Sequence, residues 1–156
     1  MYQPEFMKLA IEEAKTGIKN QDGGPFGAVI VKDNQLIAAG HNCVLKNHDS
    51  TCHGEIDAIR KAEQNLQTHD LSGCELYTTG EPCPMCLAAI LWANIKKVYY
   101  GCTLEDNEKI GFRDLKFEKL MSSNRSQLPE DFLEQHDRDL CLELFNEYNH
   151  LDKTIY

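Results

Sequence analysis

Apolar residues recur along the N-terminal part of the chain with two different periods. Between residues 4 and 19 they return every three or four positions, the spacing of an amphipathic helix. Residues 26–32 and 35–41 are rich in strand-forming residues, and Asp33-Asn34 between them favours a tight turn. The pattern therefore predicts a helix followed by two antiparallel strands.

Helix-like and strand-like patterns then alternate. In order, the pattern predicts a helix, a third strand, a second helix and a fourth strand at 56–66, 74–79, 83–94 and 96–101. A strand–helix–strand succession requires a right-handed crossover and a parallel pair of strands. We therefore expect an α/β sandwich with a mixed sheet. Residues 42–51 predict a polar loop, residues 102–128 give no clear pattern, and residues 139–149 predict a helix.

Length and composition indicate one globular domain, residues 1–156. No run of about 18 apolar residues is present, so no membrane partner is expected. The first residues lack the basic-then-apolar pattern of a secretory signal. Seven cysteines, an odd number with one close pair, favour reduced thiols over a disulfide framework. We therefore expect a cytoplasmic protein.

The charge of the chain argues against nucleic acid as a partner. The formal net charge is −9. Residues 129–156 carry eight acidic side chains against two basic ones. A protein that grips a phosphate backbone needs clustered Lys and Arg, and no such cluster is apparent in the sequence. We therefore expect a small-molecule ligand and no nucleic acid.

The candidate chemistry lies in two short motifs, His53-Gly54-Glu55 and Glu81-Pro82-Cys83-Pro84-Met85-Cys86. One imidazole and two thiolates are suited to zinc. Three protein ligands leave a fourth metal position open for water, as in catalytic sites, whereas a structural zinc has four protein ligands. His53, Cys83 and Cys86 are therefore the candidate zinc ligands.

The surroundings of these ligands support a catalytic site. Prolines beside Cys83 suit the first turn of a helix, where the helix dipole and free N–H groups favour a thiolate. Glu55 follows His53 by two residues and is placed to move the protons of the water. The pattern H-x-E followed by P-C-x-x-C is the signature of zinc deaminases, in which the glutamate is the general acid/base.

A Cys-x-x-Cys pair alone also occurs in redox centres and in four-cysteine zinc knuckles. A redox pair has no use for the His-x-Glu motif, and the chain contains no second Cys-x-x-Cys. Cys52, beside His53, stays an alternative metal ligand. The other cysteines outside the motif are interpreted as small buried residues.

Over residues 23–101 these motifs, together with Gly24-Pro25-Phe26 and Gly40-His41-Asn42, follow one another in the order found in a known superfamily. On them the chain resembles the cytidine-deaminase superfamily and, within it, the bacterial guanine deaminases. The metal motif is specific for the superfamily. The narrower resemblance rests on Gly111-Phe112-Arg113-Asp114 and on the aromatic Tyr156.

The resemblance implies a fold and an assembly. The fold is a three-layer α/β/α sandwich with a five-stranded mixed sheet, the fifth strand lying near residues 114–121. The metal lies under two helix starts. Family members are usually homodimers, and similar guanine deaminases exchange the C-terminal segment, here about residues 130–156. In that arrangement Tyr156 reaches the site of the partner chain.

The resemblance also implies a reaction, the zinc-dependent hydrolysis of guanine at C2 to xanthine and ammonia. The zinc is held by His53, Cys83 and Cys86, and Glu55 is the proton shuttle. Asp114 is implied to help bind guanine and move protons. Residues implied to contact the nucleobase are Phe26, Asn42, Gly54, Trp92 and Tyr156.

Several of these roles have structural alternatives. Phe26 also suits a strand core, Asn42 a turn, Trp92 a packing surface and Asp114 a solvated position. At position 54 guanine deaminases commonly have alanine, and His-Gly-Glu is the spelling of fungal cytosine deaminases. Other functions therefore stay open: a cytosine, other free-base or nucleoside deaminase, a tRNA adenosine deaminase, or a non-catalytic zinc scaffold.

Overall fold

The structure is a computed structural model that describes residues 1–124 and 126–156. Seven helices and four strands follow one another in the described residues. They are α1 (Pro4–Lys19), β1 (Gly27–Lys32), β2 (Gln35–His41), α2 (Val44–Asn47), α3 (Gly54–Leu66), β3 (Cys74–Gly80), α4 (Pro84–Trp92), β4 (Lys97–Cys102), α5 (Leu104–Lys109), α6 (Asp114–Ser122) and α7 (Arg138–Asn149).

The four strands form one mixed sheet in the order β2-β1-β3-β4. β1 pairs antiparallel with both β2 and β3, and β3 pairs parallel with β4. The register places Gly27 opposite His41 and Ala28 opposite Thr78. The beginning of β1 and the ends of β2 and β3 therefore meet at one edge of the sheet, where α3 and α4 begin.

Helices cover the sheet on both faces, because successive side chains of a strand point to opposite sides. Val29 and Val31 of β1 pack with α1 through Phe6. Ala28 and Ile30 face the other way and pack in the core formed with α3 and α4. The expected three-layer α/β arrangement with a mixed sheet is confirmed.

The expected fifth strand near residues 114–121 is wrong, because residues Asp114–Ser122 form helix α6 and the described sheet has four strands. The segment Asp-Leu-Lys-Phe-Glu-Lys-Leu-Met contains no β-branched residue. Its residues are mostly good helix formers, and Phe117, Leu120 and Met121 recur at helical spacing. The predicted loop at 42–51 likewise contains the short helix α2.

The C-terminal helix expected at 139–149 is present as α7, yet none of its residues is buried. Leu140, Leu144 and Phe145 are each more than 60% exposed. Within the described residues, this helix therefore buries none of its apolar side chains. In the described residues no helix has the length and apolar character needed to cross a membrane.

Candidate active site

Two helices begin side by side at the sheet edge. His53 is the residue before α3, and Cys83 is the residue before α4. Pro84 occupies the first turn of α4, where its missing N–H costs no hydrogen bond. Cys86 follows in the same turn. The two helix starts thus bring one imidazole and two thiols together.

The three candidate ligands have the spacing of a metal site. His53 Nδ1 lies 3.5 Å from the Sγ of Cys83 and 3.5 Å from the Sγ of Cys86. All three ligand atoms lie within 4.8 Å of one another. Bonds of about 2.0 Å to nitrogen and 2.3 Å to sulfur at a tetrahedral angle place the two atoms about 3.5 Å apart. The donor set therefore fits zinc in both chemistry and spacing.

The cluster favours the ligating form of Cys83. A hydrogen bond from the Cys86 thiol, together with the nearby His53, lowers the pKa of Cys83 to about 4. The pKa of His53 is raised in turn, chiefly by its hydrogen bond with Cys83. Cys83 is thus a thiolate at neutral pH, and the thiolate is the form that binds metal.

Glu55 lies in the first turn of α3 and is only 6% exposed. Its Oε2 accepts a hydrogen bond of 3.5 Å from the Cys86 thiol, and its Oε1 accepts one of 3.4 Å from the Thr78 hydroxyl. Burial raises the pKa of Glu55. A carboxyl group whose pKa moves toward neutrality can both take up and release a proton.

Thr78 was not identified from the sequence. It is fully buried in β3, and its hydroxyl shares its one proton between Oε1 of Glu55 at 3.4 Å and the carbonyl of Gly80 at 3.2 Å. A threonine in a strand is an ordinary strand former, so nothing in the local pattern singles it out. Its contact with Glu55 depends on the packing of α3 against the sheet.

A cavity of about 910 Å³ opens in front of these groups. The sequence-predicted residues that line it are Phe26, Asn42, His53, Glu55, Cys83 and Asp114. Its other walls include apolar side chains from α4, α6 and the loop before α6, among them Met85, Ala88, Phe112, Phe117 and Met121. A largely apolar cavity with a few polar groups is the usual form of a small-molecule site.

Asn42 is 4% exposed and held at a sharp corner after β2. Its backbone N–H donates to the carbonyl of Phe26 at 2.9 Å. Its side-chain Oδ1 accepts the N–H of Val44 at 3.1 Å. Asn42 also lines the cavity, and its NH₂ group can donate two hydrogen bonds to a ligand.

Phe26 forms an aromatic wall with Phe112. Their ring centroids lie 4.8 Å apart at an interplanar angle of 82°, an edge-to-face contact. The sequence singled out Phe112 only as part of the motif Gly111-Phe112-Arg113-Asp114 and predicted no contact for it. Its place in the wall was missed because residues 102–128 showed no clear pattern.

Asp114 begins α6 and is half-buried in the cavity wall. Its Oδ2 accepts a hydrogen bond of 3.2 Å from the Nδ2 of Asn107, which is buried. Burial raises the pKa of the Asp114 carboxyl. The structure thus brings a second acid to the cavity that holds Glu55.

Two aromatic candidates lie outside the cavity. Trp92 ends α4 and is 68% exposed, on the same side of the helix as Met85 and Ala88. Tyr156 lies with its ring centroid 6.2 Å from that of Trp92 in the same chain. Contact of these two rings with a substrate stays a prediction.

Gly54 also does not line the cavity. A Cβ built at this position would lie 2.9 Å from the carbonyl oxygen of Phe26. The residue therefore faces the backbone of Phe26, and a side chain at position 54 would act on the cavity through Phe26.

Comparisons with known proteins agree with this geometry. Residues 2–102 match the family of the cytidine and deoxycytidylate deaminase zinc-binding region. The chain is 48% identical over 114 residues to guanine deaminase of Bacillus subtilis (strain 168), covering 73% of each chain. It is 43% identical over 96 residues to tRNA-specific adenosine deaminase of Aquifex aeolicus (strain VF5), covering 62% of this chain and 63% of the relative.

A solved structure extends the likeness to the whole chain. The crystal structure of guanine deaminase from Bacillus subtilis matches with a TM-score of 0.87 and 38% identity, over 100% of this chain and 99% of that one. The family match spans the His53, Cys83 and Cys86 cluster and most of the chain. The chain therefore belongs to the cytidine and deoxycytidylate deaminase family and is an enzyme, a hydrolase that acts on cyclic amidines.

Proposed function

We propose that this protein is a zinc-dependent guanine deaminase that hydrolyses guanine to xanthine and ammonia. The observation that carries the proposal is the likeness over the full chain to the Bacillus subtilis guanine deaminase structure. It includes residues beyond 102, where the family match ends and where Phe112 and Asp114 lie. The similarity to the tRNA-specific adenosine deaminase of Aquifex aeolicus covers only 96 residues.

The orientation of the Asn42 amide supports guanine over adenine. Its oxygen accepts the N–H of Val44, and Asn42 lines the cavity, so we assign its NH₂ group to the ligand as a pair of donors. Guanine offers two neighbouring acceptors, O6 and N7, whereas adenine offers one acceptor beside an amino donor. Two donors therefore match the edge of guanine better than the edge of adenine.

The metal would be held by His53, Cys83 and Cys86, whose spacing fits zinc. Zinc bound there would supply an activated water, by lowering the pKa of that water from about 16 to about 7. The raised pKa of Glu55 and its position beside Cys86 suit it to take the proton of the attacking water. As Glu55 takes that proton, the oxygen of the water would bond to C2 of the base.

Two proton transfers complete the reaction, the first of them with the proton that Glu55 has taken from the water. Glu55 delivers its proton first to a ring nitrogen next to C2 and then takes up the proton of the new C2 hydroxyl group. This second proton passes to the amino group as the C2–N bond breaks and the C2 oxygen becomes a carbonyl. Asp114, in the cavity wall with its pKa raised by burial, is the second acid available for this transfer. Guanine and water are thereby converted to xanthine and ammonia, and both carboxyl groups return to their starting state.

We further propose that the protein is a homodimer in which residues 130–156 are exchanged. The support is that α7 buries none of its residues within its own chain. Trp92 is exposed and does not line the cavity. It is the last residue of α4, on the side of the helix that faces the cavity. In an exchanged dimer, the partner's Tyr156 would take the place near Trp92 that this chain's own Tyr156 holds here, and would close that side of the site.

A tRNA adenosine deaminase is the second candidate, because the chain is also 43% identical over 96 residues to such an enzyme. It would have to bind RNA and extrude a base. The net charge of −9 opposes binding to a phosphate backbone. A cytosine deaminase is the third candidate, on the strength of Gly54.

Ammonia release by zinc-loaded protein separates these candidates. The substrates are guanine, guanosine, cytosine, adenine and a tRNA anticodon stem-loop. We expect rapid release from guanine alone. Release from cytosine or from the RNA would support the zinc-dependent reaction but contradict guanine as the substrate. Zinc retention without release from any substrate would support a non-catalytic scaffold.

A further inference from the structure

A buried histidine that the proposed reaction does not use stands directly before Asn42. His41 is 7% exposed. Its Nδ1 lies 2.7 Å from Oε1 of Glu13, and its Nε2 lies 2.7 Å from Oδ2 of Asp22. Each imidazole nitrogen thus has one carboxylate oxygen within hydrogen-bond distance. The three residues form a bridge between α1, the loop after α1 and the end of β2.

This cluster is not a second metal site. Asp22, His41 and Cys43 do lie within 4.8 Å of one another. However, the 2.7 Å contact between His41 and Asp22 is a direct hydrogen bond, and donors around a tetrahedral ion would stand roughly 3.4 Å apart. Burial also raises the pKa of Cys43 to about 11, which keeps its thiol protonated at neutral pH.

The bridge is connected to the residues that hold Asn42. The backbone carbonyl of Asp22 accepts the N–H groups of Leu45 and Lys46, both at 3.0 Å. Gly23 packs so closely on Asn42 that a Cβ there would lie 2.1 Å from the Asn42 Oδ1. The loop after α1 and the corner after β2 are therefore one unit, and Asn42 lies between them.

We propose that the Glu13–His41–Asp22 bridge is a positioning element for Asn42. It fixes the loop and the corner so that the Asn42 amide presents its two donors to the base. The two contacts of 2.7 Å are short and hold His41 from both sides, and a donor held in place binds a ligand more tightly than a mobile one. The inference rests on the proposed function, in which Asn42 contacts the base.

The test measures binding without turnover. Glu55→Gln in the zinc-loaded protein would let guanine bind without reacting, so its Kd is accessible by calorimetry. In this background we expect His41→Gln to raise the Kd about tenfold, by loss of preorganisation. In the active enzyme the same change should raise KM and leave kcat within about twofold, because the interaction is made equally before and during the reaction.

A double-mutant cycle separates positioning from general damage. When Asn42→Ala is already present, His41→Gln should change the Kd less than about twofold, since there is no amide left to position. An equal loss of affinity with and without Asn42 would overturn the proposal. So would an unchanged Kd in His41→Gln.

If His41→Gln does not fold, a second pair of variants that leaves His41 in place can test the bridge. Glu13 and Glu12 are neighbours on α1, but only Glu13 reaches His41, whereas Glu12 pairs with Lys15. We expect Glu13→Ala to raise the Kd severalfold and Glu12→Ala to leave it unchanged. Equal effects of the two changes would contradict the bridge.

One readout needs no substrate. In the zinc-loaded, base-free protein, the side-chain amide resonances of Asn42 should shift or broaden in Glu13→Ala and stay in place in Glu12→Ala. An unaffected Asn42 signal would reject the bridge even if guanine is the substrate. Conversely, if another base of the panel is deaminated, the proposed function fails and the cycle is measured with that base.

Discussion

The hydroxyl of Thr78 donates a hydrogen bond of 3.4 Å to Oε1 of Glu55. The two residues are 23 positions apart in the chain, on β3 and α3. The other oxygen of Glu55 faces Cys86 at 3.5 Å. The carboxyl group is thus oriented from the sheet on one side and from the metal cluster on the other.

Replacing Thr78 by valine should reduce turnover. The change keeps the branched shape of the side chain and removes the hydroxyl that orients Glu55. A hydrogen bond to a charged group contributes about 1.5–3 kcal/mol, so we expect kcat to fall roughly tenfold or more with KM little changed. Steady-state kinetics checks this, and Thr78→Ser should restore the rate. Wild-type turnover in Thr78→Val would show that Glu55 is held without it.

Gly54→Ala should alter guanine binding through Phe26. The new Cβ would lie 2.9 Å from the Phe26 carbonyl oxygen, which has to move. Because Phe26 forms the cavity wall with Phe112, we expect KM for guanine to change severalfold while zinc content stays the same. In a Phe26→Leu background the effect of residue 54 on KM should shrink. A change in KM of the same size in both backgrounds would point to direct contact with the base.

The low pKa of Cys83 predicts selective labelling of the zinc-free protein. With a pKa of about 4, Cys83 is a thiolate at pH 6, where an ordinary cysteine is almost entirely protonated. Iodoacetamide at pH 6 should therefore modify Cys83 first, as peptide mass spectrometry would show. Cys43, whose pKa burial raises to about 11, should not react.

Zinc provides the control for this labelling. Adding one equivalent of zinc before the reagent should protect Cys83, because the thiolate is then engaged as a ligand. Labelling should weaken only as the pH falls to about 4, where the thiolate is lost. Preferred modification of other cysteines, or no protection by zinc, would contradict the assigned ligand set.

Exchange of the C-terminal segment can be tested by mixing two impaired chains. In an exchanged dimer, a Tyr156→Ala chain keeps its own Glu55 and receives Tyr156 from a Glu55→Gln partner. After joint refolding, random pairing should make roughly a quarter of the sites complete. We expect guanine deamination to reappear in the mixture. No gain over the separate variants would mean that Tyr156 acts within its own chain or not at all.

Local patterns were sufficient to predict most of the fold. Apolar and strand-forming patterns located the four strands and helices α1, α3, α4 and α7, since these patterns lie within each segment. The metal cluster was also predictable, because Cys83 and Cys86 are fixed by a single helical turn. His53 could be predicted as the third ligand only because a His-x-Glu motif has few other roles in a chain that also carries a Cys-x-x-Cys motif.

The remaining features depend on contacts between distant segments. Thr78 meets Glu55, and Phe112 meets Phe26, only after the sheet and helices pack together. The fifth strand was expected only because of the family resemblance, although the residues of that segment favour a helix. The contact of Gly54 with the substrate stays a prediction, and its closeness to the Phe26 backbone could not be read from the sequence because it depends on the packing of α3 beside the start of β1.

The central claim is that guanine is deaminated at the His53, Cys83 and Cys86 site with Glu55 moving the protons. It is tested most directly by following xanthine formation as zinc is restored to zinc-free wild-type protein and to Glu55→Gln. We predict that turnover rises to a plateau at one zinc per chain in the wild type. Glu55→Gln should bind the same amount of zinc and lose turnover by about 10²- to 10⁴-fold, the usual contribution of a general acid/base. A variant that binds zinc and keeps a tenth of the wild-type rate would contradict the account.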